Sequence, residues 1–161
     1  MSTTDEVVGV PSTDTPVLVA GAGGFIGGWL VSDLLQKGFS DIRAVDVKPL
    51  DEWHQLHGDA ENLCLDLSLR DNCFEAVTDR QHVYQLACDM GGMGFIEANK
   101  AACMLSSLVT THLLVAARDL GSERFFFASS ACVYNADKQA VSNVDALRGS
   151  DAYPPMPEDG Y

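Results

Sequence analysis

A chain of 161 residues, 47% apolar and 20% charged, has the size and composition of one folded domain and not of a disordered or fibrous polypeptide. No run approaches the roughly 18 apolar residues that span a bilayer, and the first residues lack the basic start and apolar stretch of a signal peptide. The net charge of −13 argues against a nucleic-acid partner, whose phosphates require neutralisation by lysine and arginine.

Residues 1–16, dominated by Ser, Thr, Asp and Pro, read as a polar N-terminal tail. Val17–Ala20 is a short apolar run between Pro16 and Gly21 and predicts a buried strand. From Gly24 to Lys37 the apolar residues Phe25, Ile26, Trp29, Leu30 and Leu34 recur at helical spacing, and Gly38 stops the helix. Ile42–Val47 predicts a second strand, and Pro49 breaks the pattern after it. Asn62–Leu67 predicts a third, Arg70–Asp79 a helix, and Val83–Cys88 a fourth strand. Ile96 to Leu120 carries a long helical pattern closed by Gly121, and Arg124–Ser129, with three consecutive phenylalanines, predicts a fifth strand. After Asn135 the pattern becomes polar loop.

Strand and helix thus alternate, and the strands are continuous apolar runs of the kind buried on both faces. This predicts a Rossmann-like, doubly wound parallel sheet in three αβα layers, with right-handed crossovers and about five strands. Residues 17–161 form the domain.

Cys64, Cys73, Cys88, Cys103 and Cys132 contain no C-x-x-C pair; their odd number and irregular spacing predict reduced thiols and a cytoplasmic setting. His54 and His57 lack further ligands at metal spacing, so no metal site is expected.

The turn "VLVAGAGGFIGGWL" places glycines at Gly21, Gly24 and Gly27, with Gly23 extra. The spacing is G-x-x-G-x-x-G, related to the dinucleotide pattern G-x-G-x-x-G. The first glycine permits the turn and the second brings backbone N–H groups to a pyrophosphate. The third, Gly27, lets helix and strand pack closely, with Phe25 and Ile26 opening the helix that faces the anion. Asp46 closes the second strand, where a carboxylate accepts hydrogen bonds from ribose hydroxyls and repels a 2′-phosphate, so NAD is favoured over NADP. Lys48 nearby pulls the other way. Asp66 and Leu67, at the end of the third strand, are placed where an adenine ring lies; helix capping is the competing role for Asp66.

The glycine spacing, Asp46, the Asp66–Leu67 pair and "SSACVY" together resemble the extended short-chain dehydrogenase/reductase family. "QLACDMGGMGFIEAN", "FFFASSACVY" and "SDAYPPMPEDGY" are similar to its branch that epimerises GDP-mannose at C3 and C5. The resemblance implies an NAD-dependent sugar-nucleotide epimerase. A hydride leaves C4 of the hexose, the resulting ketone acidifies the C3 and C5 protons, and proton transfer to the opposite face precedes return of the hydride. Leu86, Ala87, Cys88 and Ser129 are then expected at the cofactor, and Ser130 at the C4 oxygen. Cys132 is expected to move the proton, with a small buried hydrophobe as its bland alternative. Tyr161 is the expected base for the C4 hydroxyl.

The loop "CDMGGMGFIEANKA" follows the fourth strand, beside the crevice where the strand order is expected to reverse. Gly91, Gly92 and Gly94 are expected to let the hexose approach the backbone, with Met90 and Met93 packed beside it. The resemblance covers the N-terminal half of a family member. The lysine of its Y-x-x-x-K pattern, its later strands and its C-terminal substrate region are not among these residues, so the isolated chain is expected to be inactive. Ser106 falls where the family carries a supporting asparagine, and Ala20 where it commonly has threonine. Family members commonly form homodimers; the resemblance leaves the oligomeric state open. The alternatives are a sugar-nucleotide 4-epimerase or 4,6-dehydratase, or a non-catalytic NAD-binding module.

Overall fold

A computed structural model describes residues 11–89, 100–130, 133–134 and 146–153. Five parallel strands form one sheet in the order β3-β2-β1-β4-β5. They are β1 (Val17–Ala20), β2 (Ile42–Asp46), β3 (Glu61–Cys64), β4 (His82–Gln85) and β5 (Arg124–Phe127). The helices are α1 (Phe25–Gln36), α2 (Arg70–Val77) and α3 (Lys100–Leu120). β1 is central, pairing with β2 through Val17↔Ile42 and with β4 through Val17↔His82.

Alternation along β1 divides the core in two. Leu18 and Ala20 point to one face, where Cys73, Ala76 and Val77 of α2 meet Leu113, Ala116 and Ala117 of α3. Val17 and Val19 point to the other, against Val31 and Leu34 of α1. Both faces of the central strand are covered, which is why its sequence is apolar at every position.

The apolar residues that mark α1 in the sequence are largely not those it buries. Phe25, Ile26 and Trp29 are exposed, while Gly27, Gly28, Val31 and Leu34 form the inward face. The two glycines carry no apolar signal, yet they set how closely the helix approaches the sheet.

Several predicted boundaries shift. β2 ends at Asp46, and Val47 is exposed. The third strand covers Glu61–Cys64, so Asp66 and Leu67 lie beyond it instead of at its end. Leu65 still donates to Asp46 O at 2.9 Å, but Asp66 then turns the chain toward α2 through Leu69 N–H to Asp66 O at 3.2 Å. β4 begins at His82 and ends at Gln85, leaving Leu86, Ala87 and Cys88 beyond the ladder. α2 stops at Val77 because Asp79 takes a left-handed φ of 61°. α3 is described from Lys100; the earlier part of that prediction, from Ile96, lies outside the described residues.

β5 is shorter than predicted and is not buried on both faces. Phe125 packs on the core, whereas Phe126 and Phe127 are more than half exposed. The cause is position: among the described residues β5 is the outermost strand, and α3 packs against it on one face. Residues 12–15, inside the predicted tail, form a turn closed by Thr15 N–H to Ser12 O at 3.0 Å, and its Thr13 O accepts from Ser40 N–H at 3.3 Å. No helix of the described residues is long and apolar enough to cross a membrane.

Candidate functional site

All strands run the same way, so the β1–α1 turn and the segments after β2, β3, β4 and β5 gather at one end of the sheet. The order reverses at β1: β2 and β3 lie on one side, β4 and β5 on the other. A crevice at the carboxyl ends is the expected consequence.

The β1–α1 turn depends on backbone approaches that a Cβ would block. Gly21 has φ of 86°, and a Cβ there would sit 2.8 Å from the backbone of Ala87. The turn and the segment after β4 therefore touch across the reversal point. A Cβ on Gly27 would lie 2.1 Å from Gly21 O, so α1 rests directly on the turn. Gly21 and Ala22 both donate to Val45 O, at 2.8 and 3.0 Å, which ties the turn to β2.

α1 opens at Gly24 with no side-chain cap and no acidic residue in its first turn. The first N–H groups of a helix have no acceptor within it, and the helix dipole adds partial positive charge there. Phe25, Ile26 and Gly27 begin this helix, so their amides suit an anion, and the pyrophosphate of a dinucleotide fits that chemistry.

Asp46, at the end of β2, is 8% exposed. Its Oδ2 accepts from Gly23 N–H at 3.0 Å and its Oδ1 from Lys48 N–H at 3.1 Å. A Cβ on Gly23 would meet Asp46 Cγ at 2.9 Å, so this carboxylate–amide contact needs glycine. Each oxygen retains a lone pair for a hydroxyl donor, and the buried negative charge opposes a phosphate. These are the requirements of an unphosphorylated adenosine ribose.

Asp66 adopts the turn that precedes α2. Its Oδ1 accepts from Ser68 N–H at 2.9 Å, and Asn72 Nδ2 donates to its carbonyl at 2.9 Å. The hydrogen bonds from Ser68 hold its carboxyl below the ordinary carboxylate value. Leu67 is buried beside it and accepts from Cys73 Sγ at 3.1 Å. Burial, with the Asp66 charge adding to it, pushes the Cys73 thiol up to about 12, so this sulfur is a packing group.

A cleft of about 470 Å³ joins these parts. Gly21, Gly24 and Asp46 line it from the first two strand ends, and Asp66 and Leu67 from the third. Leu86, Ala87 and Cys88 line it from the fourth. Gln85 shapes that last segment: its Oε1 accepts from Ala87 N–H at 3.0 Å, and its Nε2 donates to Ala87 O at 2.8 Å and Thr110 Oγ1 at 3.0 Å.

The cleft also includes Lys48 and Ser106, which the sequence pointed to beside Asp46 and at the family's supporting asparagine, and Leu105 and Val109, which it did not single out. Lys48 follows Asp46 closely, two residues on. Leu105, Ser106 and Val109 reach it from α3, at spacings that place them on one helix face. Ser106 Oγ accepts from Asp89 N–H at 2.9 Å, fixing the start of the loop after β4. Ser129 and Ser130 follow β5 at the same end of the sheet but do not line this cleft. Met90, Gly91, Gly92, Met93, Gly94, Cys132 and Tyr161 lie outside the described residues.

The profile of the NAD dependent epimerase/dehydratase family matches residues 17–157. GDP-mannose 3,5-epimerase 1 of Oryza sativa subsp. indica is 40% identical over 157 residues, an alignment covering 94% of this chain and 40% of that protein. Among solved structures, the UDP-glucose 4-epimerase of Thermus thermophilus in complex with NAD matches with a TM-score of 0.74 at 24% identity, covering 91% of this chain and 46% of the other. MoeE5 in complex with UDP-glucose and NAD matches with a TM-score of 0.70 at 30% identity, covering 91% and 44%. The chain spans about 40% of the length of the curated relative.

Proposed function

The chain belongs to the NAD dependent epimerase/dehydratase family, and on that premise we propose that its crevice binds NAD and serves sugar-nucleotide epimerisation of the GDP-mannose 3,5-epimerase type. The observation that carries the cofactor reading is Asp46, buried and held by two backbone N–H groups beside an uncapped helix N-terminus. Identity of 40% to a GDP-mannose 3,5-epimerase supports the substrate class.

Bound NAD supplies a reversible hydride acceptor for C4 of a hexose. This chain's residues would supply part of the rest. The amides opening α1 hold the pyrophosphate, and Asp46 accepts from the adenosine ribose hydroxyls. Asp66 and Leu67 flank the adenine. Leu86, Ala87 and Cys88 would contact the cofactor from the segment after β4, and Ser129 from the segment after β5. Gly91, Gly92 and Gly94 would let the hexose approach the backbone, with Met90 and Met93 beside it. Ser130 donates to the C4 oxygen, Cys132 carries protons to and from the carbons beside the ketone, and Tyr161 takes the C4 hydroxyl proton. Residues 17–161 act as the cofactor-binding unit.

A sugar-nucleotide 4-epimerase or 4,6-dehydratase acting on a UDP-sugar is the second reading; the neighbour solved with UDP-glucose and NAD supports the UDP-sugar class. Solvent exchange distinguishes the two. The native protein containing this chain, given NAD and GDP-mannose in heavy water, is expected to place deuterium at C3 and C5. Interconversion of UDP-glucose and UDP-galactose without such exchange would contradict the 3,5-epimerase reading.

A further inference from the structure

The segment after β2 is bound to the phosphate turn more tightly than a connecting loop requires. Trp53 lies there, 9% exposed, within a stretch that also contains a single 3-10 turn, Leu50–Glu52. Its indole Nε1 donates to Lys48 O at 2.9 Å. The next residue, His54, donates its backbone N–H to Gly23 O at 3.0 Å, and its ring meets that of Phe25 edge-on with centroids 5.0 Å apart. A Cβ on Gly23 would meet Trp53 Cδ1 at 2.9 Å, so indole and turn are in direct contact.

With the two bonds to Asp46, these contacts close a ring. Gly23 N–H donates to Asp46, Lys48 N–H donates to the same carboxylate, Trp53 holds Lys48 O, and His54 returns to Gly23 O. Gly23 and Lys48 are therefore each gripped through both backbone N–H and C=O, with the carboxylate between them. Among the residues lining the cleft, Lys48 alone carries a cationic side chain, and both its backbone groups are engaged.

We propose that Trp53 is a positioning residue for cofactor selection: by holding Lys48 and Gly23 it keeps the Asp46 carboxylate aimed at an unphosphorylated ribose. The inference rests on the NAD reading above and adds to it the residue that acts through Asp46. Loosening the grip lets Asp46 rotate and Lys48 reposition, which weakens NAD and relieves the exclusion of NADP.

The test is calorimetric titration of the chain and its Trp53→Phe variant with NAD and with NADP. Phenylalanine keeps a ring against Gly23 and removes the N–H donor. One lost hydrogen bond corresponds to roughly a three- to tenfold rise in Kd for NAD. The NAD-to-NADP preference falls by a similar factor, and in an Asp46→Ala background the same change adds nothing further. Equal losses for both cofactors, or an undiminished loss without Asp46, would overturn the inference and leave Trp53 a packing residue. A wild-type chain that binds neither cofactor overturns the NAD reading itself, a result separate from any variant. Should Trp53→Phe not fold, Trp29→Phe leaves Trp53 as the sole indole, since Trp29 is exposed on α1. Its emission is expected to change on saturation with NAD and to change less with NADP; equal responses would again overturn the inference.

Discussion

At the scale of single residues, the glycines of the β1–α1 turn have different duties, and spacing alone suggested only part of this. Gly21 takes a positive φ and admits the segment after β4; Gly27 admits a carbonyl. Gly23, outside the repeating pattern, makes room for the Asp46 carboxylate. Gly27→Ala forces a methyl group to within 2.1 Å of Gly21 O, a backbone atom that cannot swing aside. Its expected cost is about 3 kcal/mol or more, read as a lower urea midpoint. Asp46 was legible because a carboxylate at a strand end has a clear chemical use. Trp53 was not, because its role comes from a hydrogen bond to a neighbouring carbonyl that no spacing rule describes.

At the scale of elements, the alternation of strands and helices was plain in the sequence, while their ends were not. Leu65 and Leu86 are apolar and still donate to the neighbouring strand, so hydropathy continues where the ladder has stopped. The outer position of β5 among the described strands was equally hidden, since three phenylalanines in a row look the same at a sheet's edge as at its centre. One polar residue binds elements together. Arg43 of β2 pairs with Glu61 of β3, with Nε to Oε2 at 2.7 Å. Its Nη1 donates to the carbonyls of Glu75, Ala76 and Thr78, at 3.1, 3.0 and 3.0 Å, satisfying the C-terminal end of α2. Arg43→Ala leaves those carbonyls without this donor and is expected to destabilise by about 1–3 kcal/mol, measured by denaturant unfolding. Glu61→Gln, which keeps the α2 contacts, should cost less. Equal costs would show the ion pair, and not the helix end, to be the important contact.

At the scale of the whole molecule, stability should decline as the solution is acidified. His82 is buried at the start of β4, and burial lowers its pKa, with the charge of Arg124 lowering it further and Glu123 opposing. The unfolded chain then binds this proton before the folded one. Stability falls as pH drops through the unfolded value of 6.5, and the loss levels off below the folded value. Asp66, whose folded pKa is also depressed, adds a later loss in more acidic solution as pH falls through that folded value. Replacing His82 with Asn is expected to flatten the decline just below pH 6.5; an unchanged slope would assign it to other groups.

The whole chain also decides what the cleft is for. Four strand ends, the start of α1 and one face of α3 converge there, and each makes sense around a dinucleotide: amides for phosphate, a carboxylate for ribose, apolar walls for the rings. The most direct test is a paired calorimetric titration of the chain and its Asp46→Ala variant with NAD and NADP. The chain should bind NAD saturably at one site and bind NADP at least about tenfold more weakly, the preference expected from one buried charge-assisted contact. Asp46→Ala should lose affinity for NAD and most of the preference. Absence of NAD binding by the folded chain, or equal affinity for the two cofactors, would contradict the account.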